Sequence, residues 1–336
     1  MREPPFWWRG VGIEARLLAP VAAIYGAVAA RRLTQRGIRA SAPVICIGNP
    51  TVGGAGKTPL ALVVAHMLKS TGERPVFLTR GYGGSLPGPH LVDPATDKAA
   101  DVGDEPLLLA RVAPTVVARD RVVGAQAAVA AGASVIVMDD GFQNPSLAKD
   151  LSVLVVDGRR GVGNARVIPA GPLRAPLAAQ LKRADAIVLV GTVGEAASPI
   201  VADAHTRGLP LFRARLAPDP DVVAALAGRR VLAFAGIGDP EKMFATLADA
   251  GVTVSRTRSF ADHHRYTQAE ALSLCAQADA EGLMLVTTEK DMARLQGDAA
   301  LADLAARARA LPVTLVLDEE AEFRELLARQ RLNRSG

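Results

Sequence analysis

The stretch Gly48-Asn49-Pro50-Thr51-Val52-Gly53-Gly54-Ala55-Gly56-Lys57-Thr58-Pro59 decides how this chain is read. It follows the apolar run at 44–48 and opens a helical pattern over 60–68. Strand, glycine-rich loop and helix, in that order, is the context a phosphate-binding loop requires. Glycines let backbone N–H groups turn inward around phosphate oxygens, and the helix N-terminus adds partial positive charge. Lys57 is suited to neutralise β- and γ-phosphates, and the Thr58 hydroxyl to ligate Mg²⁺. Pro59 falls in the first helical turn, where a missing N–H costs nothing. The expected nucleotide contacts are Thr51, Val52, Gly53, Gly54, Ala55, Gly56, Lys57 and Thr58. Thr51 stands where the GxxxxGK[ST] pattern has its first glycine, while the core at 53–58 is kept.

Outward from this loop, short apolar runs alternate with helical patterns. Strands are expected at 44–48, 76–79, 115–118, 135–138, 152–156 and 186–190, with helices near 58–70, 104–112, 120–131 and 176–183. Such alternation implies βαβ units and a parallel sheet with helices on both faces. Gly, Pro and Ser gather over 191–220, and Pro210, Pro218 and Pro220 interrupt any helix there, which reads as a connection between domains. A second, smaller alternating stretch follows, with strands at 231–235, 252–255, 283–287 and 313–317 and helices at 240–250 and 267–280. The expected division is an N-terminal helical segment at 1–40, a P-loop domain at 41–205, a linker at 206–225, a smaller α/β domain at 226–318 and a C-terminal helix or tail at 319–336.

Composition agrees with this class. The 336 residues are 49% hydrophobic but only 4% aromatic, which favours helices on buried parallel strands over an all-β sandwich. A net charge of +5 fits a phosphate-rich ligand, an anionic membrane surface or nucleic acid without choosing among them. No basic stripe interleaved with aromatics supports nucleic acid. Cys46 and Cys275 lie far apart in apolar surroundings and read as buried free thiols. The N-terminus reads Phe6-Trp7-Trp8-Arg9, then an uncharged run of 14 residues at 17–30, then Arg31-Arg32. The run contains Pro20 and is short for a span of about 20. The favoured reading is an interfacial helix, with Trp at headgroup level and its apolar face in lipid. A buried helix and a spanning or cleaved segment are the alternatives.

Several strand ends carry chemistry. The run Val135-Ile136-Val137-Met138 ends in Asp139-Asp140, where a carboxylate beside the phosphate loop would hold Mg²⁺ directly or through water. Consecutive acids point in different directions, so their roles differ. Thr79-Arg80-Gly81-Tyr82-Gly83-Gly84 offers Arg80 as an anion contact and Tyr82 as an acceptor contact. Asp104 and Glu105 open a helix, where acids usually serve only as caps and dipole complements. If the loop serves phosphoryl transfer to a hydroxyl, however, a group is needed to take the acceptor's proton. Asp262-His263-His264 is the best histidine cluster of a chain with five histidines, and one of the two is expected to act. Thr287-Thr288-Glu289-Lys290-Asp291 approximates the guanine-reading Asn-Lys-x-Asp pattern, but Lys290 and Asp291 are adjacent, so ATP is expected over GTP. The bland reading of that stretch is a helix start capped by a threonine.

With these residues in hand, the sequence resembles the tetraacyldisaccharide 4′-kinases of lipid A biosynthesis. The resemblance rests on the Phe6-Trp7 start, the loop at 48–59, Thr79-Arg80-Gly81-Tyr82-Gly83-Gly84 and Val102-Gly103-Asp104-Glu105-Pro106. It continues through Asp139-Asp140-Gly141-Phe142-Gln143, Pro169-Ala170-Gly171-Pro172-Leu173-Arg174, Asp262-His263 and the stretch at 287–291. It implies two α/β/α domains with a cleft between them, and a monotopic enzyme on the cytoplasmic face of the bacterial inner membrane. It implies transfer of the γ-phosphate of ATP to the 4′-hydroxyl of a tetraacylated glucosamine disaccharide 1-phosphate, with Mg²⁺. It further implies Asp104 as catalytic base with His263 as its partner, Lys57 at the transferring charge, and Glu105, Asp139 and Asp140 near the metal. Asn49, Gln143 and Arg174 join Arg80 and Tyr82 as expected substrate contacts. Two positions depart from the family, which usually has His where Asn144 stands and Glu where Ala175 stands. The rival from another class is a regulatory or metal-delivery P-loop NTPase that acts on a protein partner.

Overall fold

A computed structural model describes residues 3–332. The first two residues of the expected N-terminal segment and the last four of the expected tail lie outside it. Thirteen strands are assigned in this range: β1 Val44–Gly48, β2 Pro75–Thr79, β3 His90–Leu91, β4 Thr115–Val117, β5 Val135–Asp139, β6 Leu151–Asp157, β7 Ala186–Val190, β8 Leu211–Pro218, β9 Arg230–Ala235, β10 Thr253–Ser259, β11 Met284–Thr288, β12 Arg309–Leu311 and β13 Val313–Leu317. Among the described residues they form a nine-stranded sheet, ordered β13-β8-β7-β6-β1-β5-β2-β4-β3, and a four-stranded sheet, ordered β10-β9-β11-β12.

The centre of the large sheet is parallel, and β1, β2, β5, β6 and β7 are buried along their whole length. That is why they read as continuous apolar runs: helices cover both faces. One face packs Leu60, Val64 and Leu68 of the helix Lys57–Ser70 against Ile45, Val153 and Val188. The other packs Ala125, Ala128, Leu181 and Ile200 against Val44, Ile136 and Leu154. The small sheet is likewise sandwiched, with Leu274 and Leu304 on one side and Phe244 and Leu247 on the other.

The order along the large sheet places the phosphate loop. After β1 the chain fills one side with β2, β4 and β5, and then the other with β6, β7 and β8. The carboxyl end of β1 is thus a switch point, where open α/β sheets hold their ligands. Ile47 of β1 stands opposite Asp139 of β5, so the loop leaving β1 emerges beside the acids.

Two expectations about the second half are corrected. The segment at 206–225 is not a bare linker, because β8 runs through it and pairs parallel with β7. Pro218 closes this strand and Pro220 starts the helix Pro220–Leu226, so the prolines punctuate elements without abolishing them. The strand at 313–317 leaves the smaller unit and returns to the large sheet, antiparallel to β8. The helix Glu320–Leu332 then brings Phe323 and Leu327 onto the large-sheet core, where Phe323 meets Phe212 edge-on at 5.0 Å.

The N-terminal segment holds a 3₁₀ turn Pro5–Trp8 and the helices Ile13–Leu17 and Ala19–Leu33. Trp7 is buried and donates Nε1–H to the Pro169 carbonyl at 2.9 Å, while Trp8 lies under the Arg160 guanidinium at 5.1 Å. The tryptophans therefore anchor the segment to the protein body, not to a headgroup layer. No described helix is long and apolar enough to cross a membrane.

Candidate active site

The loop after β1 has the backbone a phosphate cradle needs. Gly53 and Gly56 sit at φ +95° and +98°, a region that strains any residue with a side chain. Gly56 directly precedes the helix Lys57–Ser70, whose first N–H groups face the loop. Lys57 Nζ donates to the Gly53 carbonyl at 3.4 Å and lies 3.9 Å from Asp140 Oδ1. Thr58 Oγ1 donates to Asp139 Oδ2 at 3.1 Å. Oδ1 of Asp139, a fully buried residue, has no partner among the described residues.

The two acids differ in environment, as their opposed directions suggested. Burial, aided by the Glu105 charge, pushes the Asp139 carboxyl up to about 7. Burial opposes ionisation of Asp140 as well, but there Lys57 and Arg174 prevail and hold it at about 2. Arg174 forks onto Asp140 at 2.8 and 3.4 Å, and its Nε donates to the Thr51 carbonyl at 2.9 Å. Asp140 itself takes φ +52°, the kind of backbone strain that persists at functional sites.

A cleft of about 450 Å³ opens between the two sheets. From the large unit it is lined by Val52, Gly53, Gly54, Gly56, Lys57, Thr58, Tyr82, Glu105, Asp140 and Arg174. From the small unit come Gly238, Asp239, Lys242, Asp262, His263 and Lys290. Asp104 lies just behind this surface, 3% exposed, with Oδ1 3.3 Å from Nδ1 of His263. That contact is an ion pair off the N–H direction, since Nδ1 makes no well-formed hydrogen bond. Burial works to raise the Asp104 carboxyl, but contact with His263 and the charges of Arg294 and Lys290 hold it well below the usual range. Burial works to lower His263, and Asp104 raises it instead. His263 sits at φ +55° and packs its ring 4.7 Å from that of Tyr82. His264 turns the other way, stacks on Phe260 and bonds Glu270, whose capping box with Thr267 starts the helix Gln268–Glu281.

Other expected contacts fall elsewhere. Asn49 is fully buried and donates to the Gly53 carbonyl at 3.0 Å. Gln143 donates to the Asn49 carbonyl at 2.8 Å and to Gln180 at 3.0 Å. Neither lines the cleft, and their donors brace the phosphate loop. Arg80 is exposed outside the lining. Asn144 and Ala175 lie outside it too: Asn144 caps its own turn through Ser146, and Ala175 is buried with its carbonyl bonded to Gln180.

Sequence reading missed what the stretch at 287–291 does. Thr288 caps the helix Glu289–Leu295, as the bland reading had it. The same helix sends Lys290 to Glu105 at 2.5 Å and Arg294 to Asp104. The signal was the i, i+4 spacing of two cations on one helix face. It also missed Arg160, which bonds both Glu3 at 3.2 Å and Asp239 at 3.0 Å.

Comparison with known proteins matches this geometry to one family. The family model described as tetraacyldisaccharide-1-P 4′-kinase matches residues 14–331. The tetraacyldisaccharide 4′-kinase of Nitrobacter winogradskyi is 55% identical over 327 residues, covering 97% of each chain. That of Methylobacterium sp. strain 4-46 is 55% identical over the full length of both. Among solved structures, LpxK from Aquifex aeolicus in complex with ATP superposes with a TM-score of 0.72 at 28% identity, covering 94% of this chain and 99% of that one. The chain accordingly belongs to the tetraacyldisaccharide-1-phosphate 4′-kinase family and is a phosphotransferase with an alcohol acceptor.

Proposed function

We propose that the chain transfers the γ-phosphate of ATP to the 4′-hydroxyl of a tetraacylated glucosamine disaccharide 1-phosphate, in the synthesis of lipid A. The observation that carries this reading is the meeting, at one cleft between two sheets, of a phosphate loop and His263 with Asp104 directly behind it. Backbone N–H groups of residues 53–58 and Lys57 grip the polyphosphate. Asp104, oriented by His263, takes the proton of the attacking hydroxyl, and the exposed ring of Tyr82 offers a face to the sugar. Arg174 keeps Asp140 ionised and ties it to the loop. A cleft shared by two units allows closure, which protects ATP from water.

The donor set fits Mg²⁺. Asp139 has a free carboxylate oxygen and Thr58 a hydroxyl beside it, both hard oxygen ligands. Among the described residues no group of three or more His, Cys, Asp or Glu forms a cage. Mg²⁺ does not need one, because phosphates and waters complete its shell. Glu105 and Asp140, both expected near the metal, are paired with Lys290 and Arg174, which favours Asp139 as the carboxylate ligand. When bound, the ion neutralises charge on the phosphates.

The N-terminal helices favour membrane contact. Ile13, Leu17, Val21, Ile24 and Val28 form an exposed apolar stripe, with Leu17 at 75% and Ile24 at 70% exposure. Ala22, Gly26 and Leu33 face the body instead. Arg31 and Arg32 close the helix, the pattern of an interfacial segment on an anionic surface. We place the enzyme peripherally on the cytoplasmic face of the inner membrane, where ATP and a lipid acceptor are both available. The deciding experiment incubates labelled ATP, Mg²⁺ and purified enzyme with tetraacyldisaccharide 1-phosphate. Label must enter the lipid, and label found only in free phosphate would favour the regulatory NTPase.

A further inference from the structure

Asp104 belongs to the large unit, where it opens the helix Asp104–Ala110. Its nearest charged partner, Arg294, belongs to the small unit, on the helix Glu289–Leu295 that follows β11. Arg294 Nε donates to Asp104 Oδ2 at 2.9 Å, and Nη2 donates to the same oxygen. Nη1 donates inward, to the Gly236 carbonyl at 2.7 Å and to Asp291 Oδ1 at 2.8 Å. Asp291 is fully buried and fixed in turn by the Tyr266 hydroxyl at 2.8 Å, Thr288 Oγ1 at 2.6 Å and the Gly236 N–H at 3.0 Å. The guanidinium is thus held in one plane by its own unit before it reaches across the cleft. With Oδ2 taken, the other oxygen, Oδ1, faces His263. A planar fork imposes this orientation, and a lysine ammonium does not.

We propose that Arg294 is a positioning residue for phosphoryl transfer: it holds one oxygen of Asp104 from the opposite unit and so reserves the other as the proton acceptor. The proposal rests on the reading of Asp104 as base. It ties base geometry to the relative placement of the two units, because anchor and carboxylate come from different sides of the cleft.

The test uses full-length enzyme with MgATP and tetraacyldisaccharide 1-phosphate in detergent micelles. It compares wild type, Arg294→Lys, Arg294→Met, Asp104→Asn and the double variant Asp104→Asn/Arg294→Met. Arg294→Met should lose much of the roughly 10²–10⁴-fold in kcat that base catalysis supplies. KM for ATP should stay within about twofold, since the loss lies in the transition state and not in ground-state binding. Arg294→Lys should recover part of kcat. On the Asp104→Asn background Arg294→Met should cost nothing more, because residues that act as a unit are not additive. Full additivity, or a raised KM at unchanged kcat, overturns the proposal while leaving Asp104 as base. Wild-type kcat in Asp104→Asn overturns the base reading and the proposal together. Removing the guanidinium takes a cation from two buried carboxylates, so Arg294→Met is first checked by thermal unfolding. Should it fail to fold, Arg294→Lys decides, and wild-type kcat in that variant refutes the positioning role.

Discussion

Thr58, in the first turn of the helix after the phosphate loop, and Asp139, at the end of β5, lie 81 residues apart, yet the hydroxyl of one donates to the carboxylate of the other at 3.1 Å. The second oxygen of Asp139 is buried with no partner among the described residues. Burial and the nearby Glu105 push this carboxyl up to about 7 from a reference value of 3.8. A raised acid is bound more tightly by its proton in the folded state. Its contribution therefore favours folding below the unfolded value and is lost as pH rises through the folded one. Without nucleotide and with a chelator present, the wild type should lose stability between about pH 4 and 7 from this group. Asp139→Asn should remove that loss. Its Tm should exceed wild type by several degrees at pH 8 and converge with it toward pH 4, while transfer activity falls. Scanning fluorimetry checks this, and an equal or lower Tm for the variant at pH 8 contradicts the assignment.

Lys57 shares with Arg174, whose fork is closer, the duty of keeping Asp140 ionised. Its amine makes one long contact with Gly53 and stands 3.9 Å from Asp140. Lys57→Ala should lower Tm only modestly, because Arg174 still pairs with Asp140, while abolishing transfer, because the developing charge on the phosphoryl group loses its cation. Label transfer to the lipid in that variant at wild-type rate would remove Lys57 from the site.

The P-loop domain was legible because its strands are buried on both faces and its loop has one purpose. Continuous apolar runs such as 135–138 and 186–190 have few alternative readings once glycine-rich turns bound them. β8 was hidden because it lies near the sheet edge, where only Phe212 and Ala214 are buried and Arg213 and Arg215 alternate outward. Its period-2 pattern was present, but two prolines at its end outweighed it in a reading by composition. β13 could not be assigned to its sheet, since its partner in the large sheet precedes it by nearly 100 residues and nothing local encodes that choice. The acids and the phosphate loop were found through type and context. The cations that cross the cleft, Arg294 and Lys290, were not, because an arginine on a short helix looks like a solvated charge until the fold brings Asp104 to it.

Lys242 and Asp157 join the two units at 2.9 Å, from the helix Pro240–Asp249 and the end of β6. Burial works to raise the Asp157 carboxyl, and Lys242 together with the Arg160 N–H lowers it instead. A depressed acid contributes stability that is present above its unfolded value and lost as pH falls through the folded one. Acid should therefore weaken the junction below about pH 4. Lys242→Met should remove about 1 kcal/mol at neutral pH, the usual worth of a partly exposed pair, and flatten the acid limb of the Tm profile. An acid limb as steep as in wild type would show that the pair does not hold the units together.

The exposed stripe on the N-terminal helices predicts membrane binding that is separable from folding. Val21, Ile24 and Val28 point away from the body, whereas Ala22 and Gly26 pack onto it, Gly26 lying within reach of Pro176 and Val167. Charges on the outer face should therefore leave Tm unchanged. Each large aliphatic side chain contributes roughly 1.5–3 kcal/mol when buried in an apolar medium. Val21→Glu combined with Ile24→Glu should consequently lower partition into vesicles of phosphatidylethanolamine and phosphatidylglycerol by more than about 100-fold. Arg31→Glu with Arg32→Glu should act differently, weakening binding at low salt and little at high salt, because only the electrostatic part is lost. Flotation assays at both ionic strengths distinguish the two effects. Undiminished flotation of the double-glutamate helix variant would mean that lipid is reached through the acceptor cleft alone and that the stripe serves another purpose.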